Sequence, residues 1–215
     1  LKPSTIRGVR SEGMVCSEKE LGLSDEHEGI LVLDPDAPVG VPLRDYLGES
    51  VIEFEITPNL VHAFSMVGIA RELGALIDAP VLLPELADLE AVPRDPGLVT
   101  VEAPDLCPRY VGVVIENVRV EPSPEWLQRR LASAGVRPIS NIVDITNYVM
   151  LEWGQPLHAF DRRFLHEGRI VVRRARPGER IETLDHVDRE LTPDMLVIAD
   201  ADRAVAIAWA MGGLD

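Results

Sequence analysis

The chain has 215 residues, of which 46% are apolar and only 5% aromatic, and it carries a formal net charge of −15. That is enough apolar chain for one large domain or two small ones, with a core built mostly of Val, Leu, Ile and Ala. The acidic balance argues against coating nucleic acid through phosphate neutralisation, and no run approaches the ~18 apolar residues of a membrane span.

With 17 Pro and 16 Gly, many turns and short elements are expected. Residues 1–45 are Gly-rich, with Pro35, Pro38 and Pro42, and suit short strands and turns. V-I-E-F-E-I at 51–56 alternates apolar and acidic, as a half-exposed strand does, until T-P-N stops it. Phe64, Met66, Val67, Ile69, Ala70, Leu73, Leu76 and Ile77 predict an amphipathic helix over 62–77. Residues 79–96 are rich in Pro, Leu and acids and read as a linker. V-T-V at 99–101 and R-Y-V-G-V-V-I-E-N-V-R-V at 109–120 read as strands.

Residues 122–135 predict a helix, with Ser123 as cap, Pro124 in the first turn, Glu125 on the dipole and Gly135 at the end. Trp126, Leu127, Leu131 and Ala134 form its expected buried face. I-V-D-I-T-N-Y-V-M-L fits helix or strand by pattern; Asn141 as a cap and the length of the run favour helix. A strand at 168–175, a hairpin over 182–191 and buried strands at 195–200 and 204–210 follow, with Asp200 to Arg203 turning between the last two. The expected class is α+β: mixed or antiparallel sheets, a few amphipathic helices and more than one domain.

The densest chemistry lies between Pro138 and Asp161, where Asn141, Asp144, Thr146, Asn147, Gln155 and His158 are threaded between apolar residues. Buried polar groups are costly unless partnered, so such a run points to a polar pocket. Thr146, Asn147 and His158 offer a hydroxyl, an amide and an imidazole to a polar ligand or a hydrolytic water. The plainer alternative is a satisfied core histidine beside two turn-capping side chains. Met211-Gly212-Gly213 offers close approach and backbone N–H groups, or simply a tight turn. No phosphate-loop motif is present, and the spacing of Cys16, Cys107 and the five histidines fits no metal site. Reduced thiols are the simplest account of the two cysteines. The arginines at 129, 130 and 137, and at 173, 174, 176 and 180, are expected on a solvated face.

The run P-I-S-N-I-V-D-I-T-N-Y-V-M-L-E-W-G-Q-P-L-H-A-F-D resembles the beta chains of bacterial phenylalanyl-tRNA synthetases. So do P-S-P-E-W-L-Q-R-R-L-A-S-A-G-V-R-P, G-R-I-V-V-R-R-A-R-P-G-E-R-I-E-T-L-D, L-T-P-D-M-L-V-I-A-D and A-M-G-G, with T-P-N, G-I-A-R-E-L and I-R-G-V-R-S-E-G-M-V-C-S upstream. The resemblance spans essentially the whole chain and implies a central fragment of a longer one. The start at Leu1 without Met and the close just after Gly213 fit that expectation. It implies the tail of a tRNA-binding OB-type domain at 1–45, a small α+β segment and linker at 46–93, and the first part of an editing domain at 94–215. The implied activity is hydrolysis of tyrosine wrongly attached to phenylalanine tRNA. His158 and Thr146 are the implied catalytic residues, and Asn147, Trp209 and Gly212 the substrate-binding ones. The implied partners are the synthetase alpha chain and tRNA(Phe), in the cytoplasm, without membrane. ATP and Mg serve the parent enzyme, and no cofactor or metal is expected in this segment.

Three positions depart from the resemblance. Trp209 stands where the family has Gly or Ala, and its indole is expected to fill the amino-acid pocket. Leu60-Val61-His62 replaces R-x-D after T-P-N, and His186 replaces a Gly after T-L-D. A catalytically inactive or engineered fragment that binds a protein partner is therefore the alternative reading, since Trp and apolar anchors are typical of interfaces.

Overall fold

In the computed structural model the described residues are 4–23, 27–48, 50–87 and 93–213. Parts of the expected opening and linker segments, and the last two residues of the chain, lie outside them. The chain divides into two units, Leu1–Val51 and Ile52–Asp215.

In the first unit, β1 (Ser4–Ile6) and β2 (Val9–Ser11) form an antiparallel hairpin. Its turn residues Arg7 and Gly8 have φ of 50° and 81°, the pair of left-handed conformations that matches the twist of a tight hairpin. Ser17 caps α1 (Glu18–Leu21): its hydroxyl accepts from the Glu20 N–H, and the Glu20 carboxylate accepts from the Ser17 N–H at 2.9 Å. This reciprocal arrangement satisfies two otherwise orphaned donors. A one-turn helix, α2 (Leu43–Tyr46), follows Pro42.

In the second unit, a 3-10 segment at Pro58–Ala63 precedes α3 (Met66–Ile77). The helix starts later than its periodicity predicts because Ser65 is the true cap: its Oγ accepts from the Gly68 N–H at 3.0 Å. Next come β3 (Val99–Val101), α4 (Glu125–Ser133) and α5 (Asn141–Trp153). α5 packs against both α3 and α4. No helix among the described residues is long and apolar enough to cross a membrane.

Two expected caps do other work. Pro124, not Ser123, occupies the cap of α4. Ser123 instead donates to Asp144 Oδ2 at 2.5 Å, and the other oxygen of that carboxylate accepts the Ile139 N–H at 2.8 Å. Asp144 is wholly buried, so these bonds are what make its burial tolerable. Ser140, not Asn141, is the cap residue of α5; Asn141 ties the helix to the preceding chain, donating to the Arg119 carbonyl and accepting from the Glu121 N–H. On α4, Leu127 and Leu131 are buried, a burial of roughly 2 kcal/mol each. The other two expected members of that face are not buried: Ala134 is exposed, and Trp126 is about half exposed and meets Tyr148 of α5 edge to face, with centroids 5.7 Å apart.

The remaining elements are β4 (Ile170–Arg174), β5 (Arg180–Glu182), β6 (Asp188–Glu190), β7 (Leu196–Ala199), β8 (Ala204–Ile207) and β9 (Met211–Gly212). Five strands make one sheet in the order β3-β4-β7-β8-β9, with β3 parallel to β4 and the others antiparallel. β5 and β6 form the expected hairpin. Side chains on alternate positions of β4 face opposite sides. Val171 joins Ile181, Leu191 and Val197 on one side; Ile170 and Val172 join Ile198, Val205 and Phe160 on the other.

Arg173 overturns the expectation of a solvated arginine face. It is 4% exposed, and its guanidinium donates to both oxygens of Glu179 at 2.8 and 2.6 Å. Glu179 also accepts the N–H groups of Arg176 and Ala204. The strands expected at 51–56 and 109–120 do not form. Val111, Val113 and Ile115 are exposed, because alternation makes a strand only where a neighbouring strand supplies hydrogen bonds, and none among the described residues pairs with them.

Candidate functional site

α5 stops at Gly154, whose φ of 77° lies in the left-handed region, and a Cβ there would come 3.3 Å from Cβ of Ser65. Glycine thus serves both the turn and the close approach to the α3 cap. The chain then leaves the helices and runs to the sheet. Phe160 packs onto the side of the sheet that holds Val172 and Val205. Two residues earlier, on the same side of this segment, the His158 ring lies against Phe160, with centroids 4.3 Å apart and planes at 47°.

The other neighbour of that imidazole is the last strand. A Cβ on Gly212 would stand 2.7 Å from His158 Cε1 and 3.4 Å from Nε2, so the ring sits directly over bare backbone. Leu184 closes the same spot: its Cδ1 is 3.3 Å from that position, and its N–H donates to the Gly212 carbonyl at 3.1 Å. This desolvation pushes the His158 pKa below its ordinary 6.5, although part of the residue remains open to solvent. The imidazole is therefore neutral at pH 7, with one ring nitrogen able to accept a proton.

The structure thus brings His158 and Gly212 together. Thr146 and Asn147 stand on α5, whose packing partners among the described elements are α3 and α4. Thr146 Oγ1 donates to the Val143 carbonyl at 2.7 Å, a bond within its own helix that leaves its lone pairs free to accept. Asn147 is half-buried beside it. Gln155 donates to the neighbouring Pro156 carbonyl. The Gly213 N–H, expected to be free, donates to the Val205 carbonyl at 2.8 Å because the strand end remains paired.

Trp209 is at the tip of the turn between β8 and β9, with φ of 65° and an exposure of 85%. Its indole projects into solvent, whereas the resemblance offers it as a candidate to fill the amino-acid pocket. Phe160 and Leu184 were not among the sequence candidates. The i, i+2 relation to His158 in an extended segment was a legible signal for Phe160. Leu184 reaches the spot through the bridge between Thr183 and Gly213, for which the sequence carries no local sign.

A separate cleft of about 320 Å³ lies between α3 and the end of α5, lined by His62, Phe64, Ser65, Arg71, Trp153 and Gly154 among others. His62, one of the departures from the resemblance, is 2.7 Å from Glu72 there. The imidazole and the glycine described above are not part of this cleft.

The family model for the B3/4 domain matches residues 106–215, a stretch that holds α4, α5, His158 and Gly212. The chain belongs to the B3/4 domain family. A tRNA binding domain family matches residues 1–42. The curated relatives that the B3/4 chain matches include phenylalanine–tRNA ligase beta subunits. That of Moorella thermoacetica is 54% identical over 221 residues, covering 98% of this chain and 28% of the relative. That of Dehalococcoides mccartyi is 51% identical over 218 residues, covering 99% and 27%. The Synechocystis protein is 49% identical over 222 residues, again covering 99% and 27%. The chain therefore spans a little over a quarter of the length of these relatives. In this B3/4 region lie α4, α5 and the strands β4 to β9, whereas α3 and β3 precede it, and the His158–Gly212 contact lies wholly inside the matched stretch.

Proposed function

We propose that this chain forms part of an editing site that hydrolyses tyrosine from wrongly charged tRNA(Phe), as a segment of a phenylalanyl-tRNA synthetase beta chain working in the cytoplasm with an alpha chain. The observation that carries this reading is the imidazole of His158 held over Gly212, partly desolvated there and otherwise open to solvent. A general base for ester hydrolysis must be unprotonated at working pH and open to a water molecule, and this ring meets both needs.

In the proposed step, the imidazole takes a proton from a water as the water oxygen attacks the ester carbonyl. The bond from the carbonyl carbon to the ribose oxygen then breaks, and the proton passes to that oxygen, releasing tyrosine and free tRNA. In this reading Thr146 serves the hydrolysis with His158 and Asn147 binds the amino acid, and discrimination rests on bonding the tyrosyl hydroxyl, a group whose absence a polar site rejects strongly. ATP and Mg belong to the synthetic reaction of the whole enzyme and take no part here.

The test is deacylation of tyrosyl-tRNA(Phe) by the 215-residue chain and by its His158→Ala variant. Release of tyrosine above the buffer rate that vanishes in the variant supports the proposal. Equal rates in both proteins and in buffer overturn it.

A second reading, a binding module without hydrolysis, is favoured by the exposed Trp209 and by the placement of Thr146 and Asn147 on α5. No deacylation by either protein supports that reading, a module for a protein partner, instead.

A further inference from the structure

We propose that Trp209 is a stacking platform for the terminal nucleobase of an RNA-borne aminoacyl ester whose ester end lies at His158. The placement of the ester rests on the hydrolytic reading above; the stacking of the base is a separate claim.

Two unfavourable features coincide at Trp209. A large apolar side chain is 85% exposed, and its backbone is in the left-handed region at φ 65°, where a bulky residue is a genuine outlier. No burial repays the strained conformation. Strain held in place at an open position is a pointer to a use for the side chain.

The position of the turn suggests the use. β8 and β9 pair Ala206 with Gly212 and Ile207 with Met211, and residues 208–210 close the hairpin. His158 lies over Gly212. The tip of the hairpin is therefore roughly 7–10 Å along the strands from the imidazole, at about 3.3 Å per residue. An aminoacyl ester on a terminal ribose has its base one sugar away from the carbonyl, a separation of the same order. An indole face accepts any base by stacking and needs no cation to do so. That mode of capture suits a chain with a net charge of −15, whose overall charge opposes phosphate neutralisation.

The experiment titrates the 215-residue chain with two probes that resist hydrolysis. One is adenosine carrying tyrosine through a 3′-amide; the other is tyrosinamide, which lacks the base. Affinity is read by calorimetry and stacking by quenching of tryptophan emission, with Trp126 and Trp153 as constant background. Trp209→Ala is expected to weaken the adenosine probe roughly tenfold, the scale of one lost base–aromatic stack, and to leave tyrosinamide unchanged. Trp209→Phe is expected to keep the affinity and lose the quenching. Thermal melts check that both variants fold, as the solvent position of the indole requires.

Undiminished affinity of Trp209→Ala for the adenosine probe overturns the proposal, as does absence of binding by the unaltered chain. An equal loss for tyrosinamide overturns it too, because the indole would then touch the amino acid. A change in self-association with unchanged probe affinity overturns it in favour of a protein contact. The two claims separate cleanly. If the base-dependent difference persists while no protein form deacylates tyrosyl-tRNA(Phe), the hydrolytic reading fails and the stacking platform stands.

Discussion

The imidazole of His158 occupies the space that a side chain at residue 212 would need: an added Cβ would lie 2.7 Å from its Cε1. The backbone of Gly212 is not in the left-handed region, so alanine brings no backbone strain, and the partly exposed ring is free to swing aside. Gly212 is itself buried and Leu184 Cδ1 is 3.3 Å from the same position, so Gly212→Ala is expected to cost about 1–3 kcal/mol, the usual range for overpacking. Misplacing a base by about 1 Å costs roughly a hundredfold in rate. Deacylation of tyrosyl-tRNA(Phe), measured well below the melting temperature of the variant, should fall by that order. Full activity in the variant would remove the contact from the mechanism.

The same ring sets a pH dependence. Its pKa is lowered by desolvation below 6.5, so the base form persists at more acidic pH than for a free histidine. The rate of deacylation should rise with pH through a midpoint below 6.5 rather than at or above it. The consequence for stability has the same sign. Below 6.5 the unfolded chain takes up a proton before the folded one does, so this contribution to stability is complete above 6.5 and is lost as pH falls through the folded value. A midpoint above pH 6.5 would contradict the desolvated environment.

Glu179 organises the other side of the sheet. Its hydrogen bonds from the Arg173 guanidinium, aided by the Arg176 and Ala204 N–H groups, hold its pKa down to about 2 from an ordinary 4.5. The side chains of the pair are 5% and 11% exposed. Glu179→Gln leaves the Arg173 charge buried without a counter-ion, at an expected cost of about 3 kcal/mol. In the unaltered chain this contribution is complete above pH 4.5 and is lost as pH falls towards 2, because the unfolded state binds the proton first. Chemical denaturation from pH 6 to pH 2 should show that slope, and the Gln variant should have a shallower one.

Asp144 joins α4, α5 and the segment between them. Asp144→Ala strands the Ser123 hydroxyl and the Ile139 N–H, an expected loss of about 2–3 kcal/mol for unmade buried bonds. Asp144→Asn keeps an acceptor for one of the two donors and should lose less. Urea unfolding of both variants measures the order. Equal stability of the Ala variant and the unaltered chain would show that the carboxylate is not holding the helix pair.

Much of the second unit was legible because its signals are local. Helical spacing marked α3 and α4, the length of the run marked α5, and apolar runs marked β4, β7 and β8, since the period of a segment follows from its own backbone geometry. The same rule misled at 109–120. Val111, Val113 and Ile115 alternate as a strand would, but a strand also needs hydrogen-bonding groups from elsewhere in the chain. The caps failed for a related reason. Ser123 and Asn141 carry the right chemistry for capping, and a buried carboxylate and a preceding chain segment took their hydrogen bonds instead.

By itself, the order of residues determined the class of elements, the dense polar run from Asn141 to His158 and the kinship to the B3/4 domain. Only the tertiary structure decided that His158 meets Gly212 and Phe160, that Arg173 is buried against Glu179, and that the Trp209 indole faces water. These are relations between distant parts of the chain or between a side chain and solvent. They depend on which strand edges and helix faces meet, and no local period encodes that.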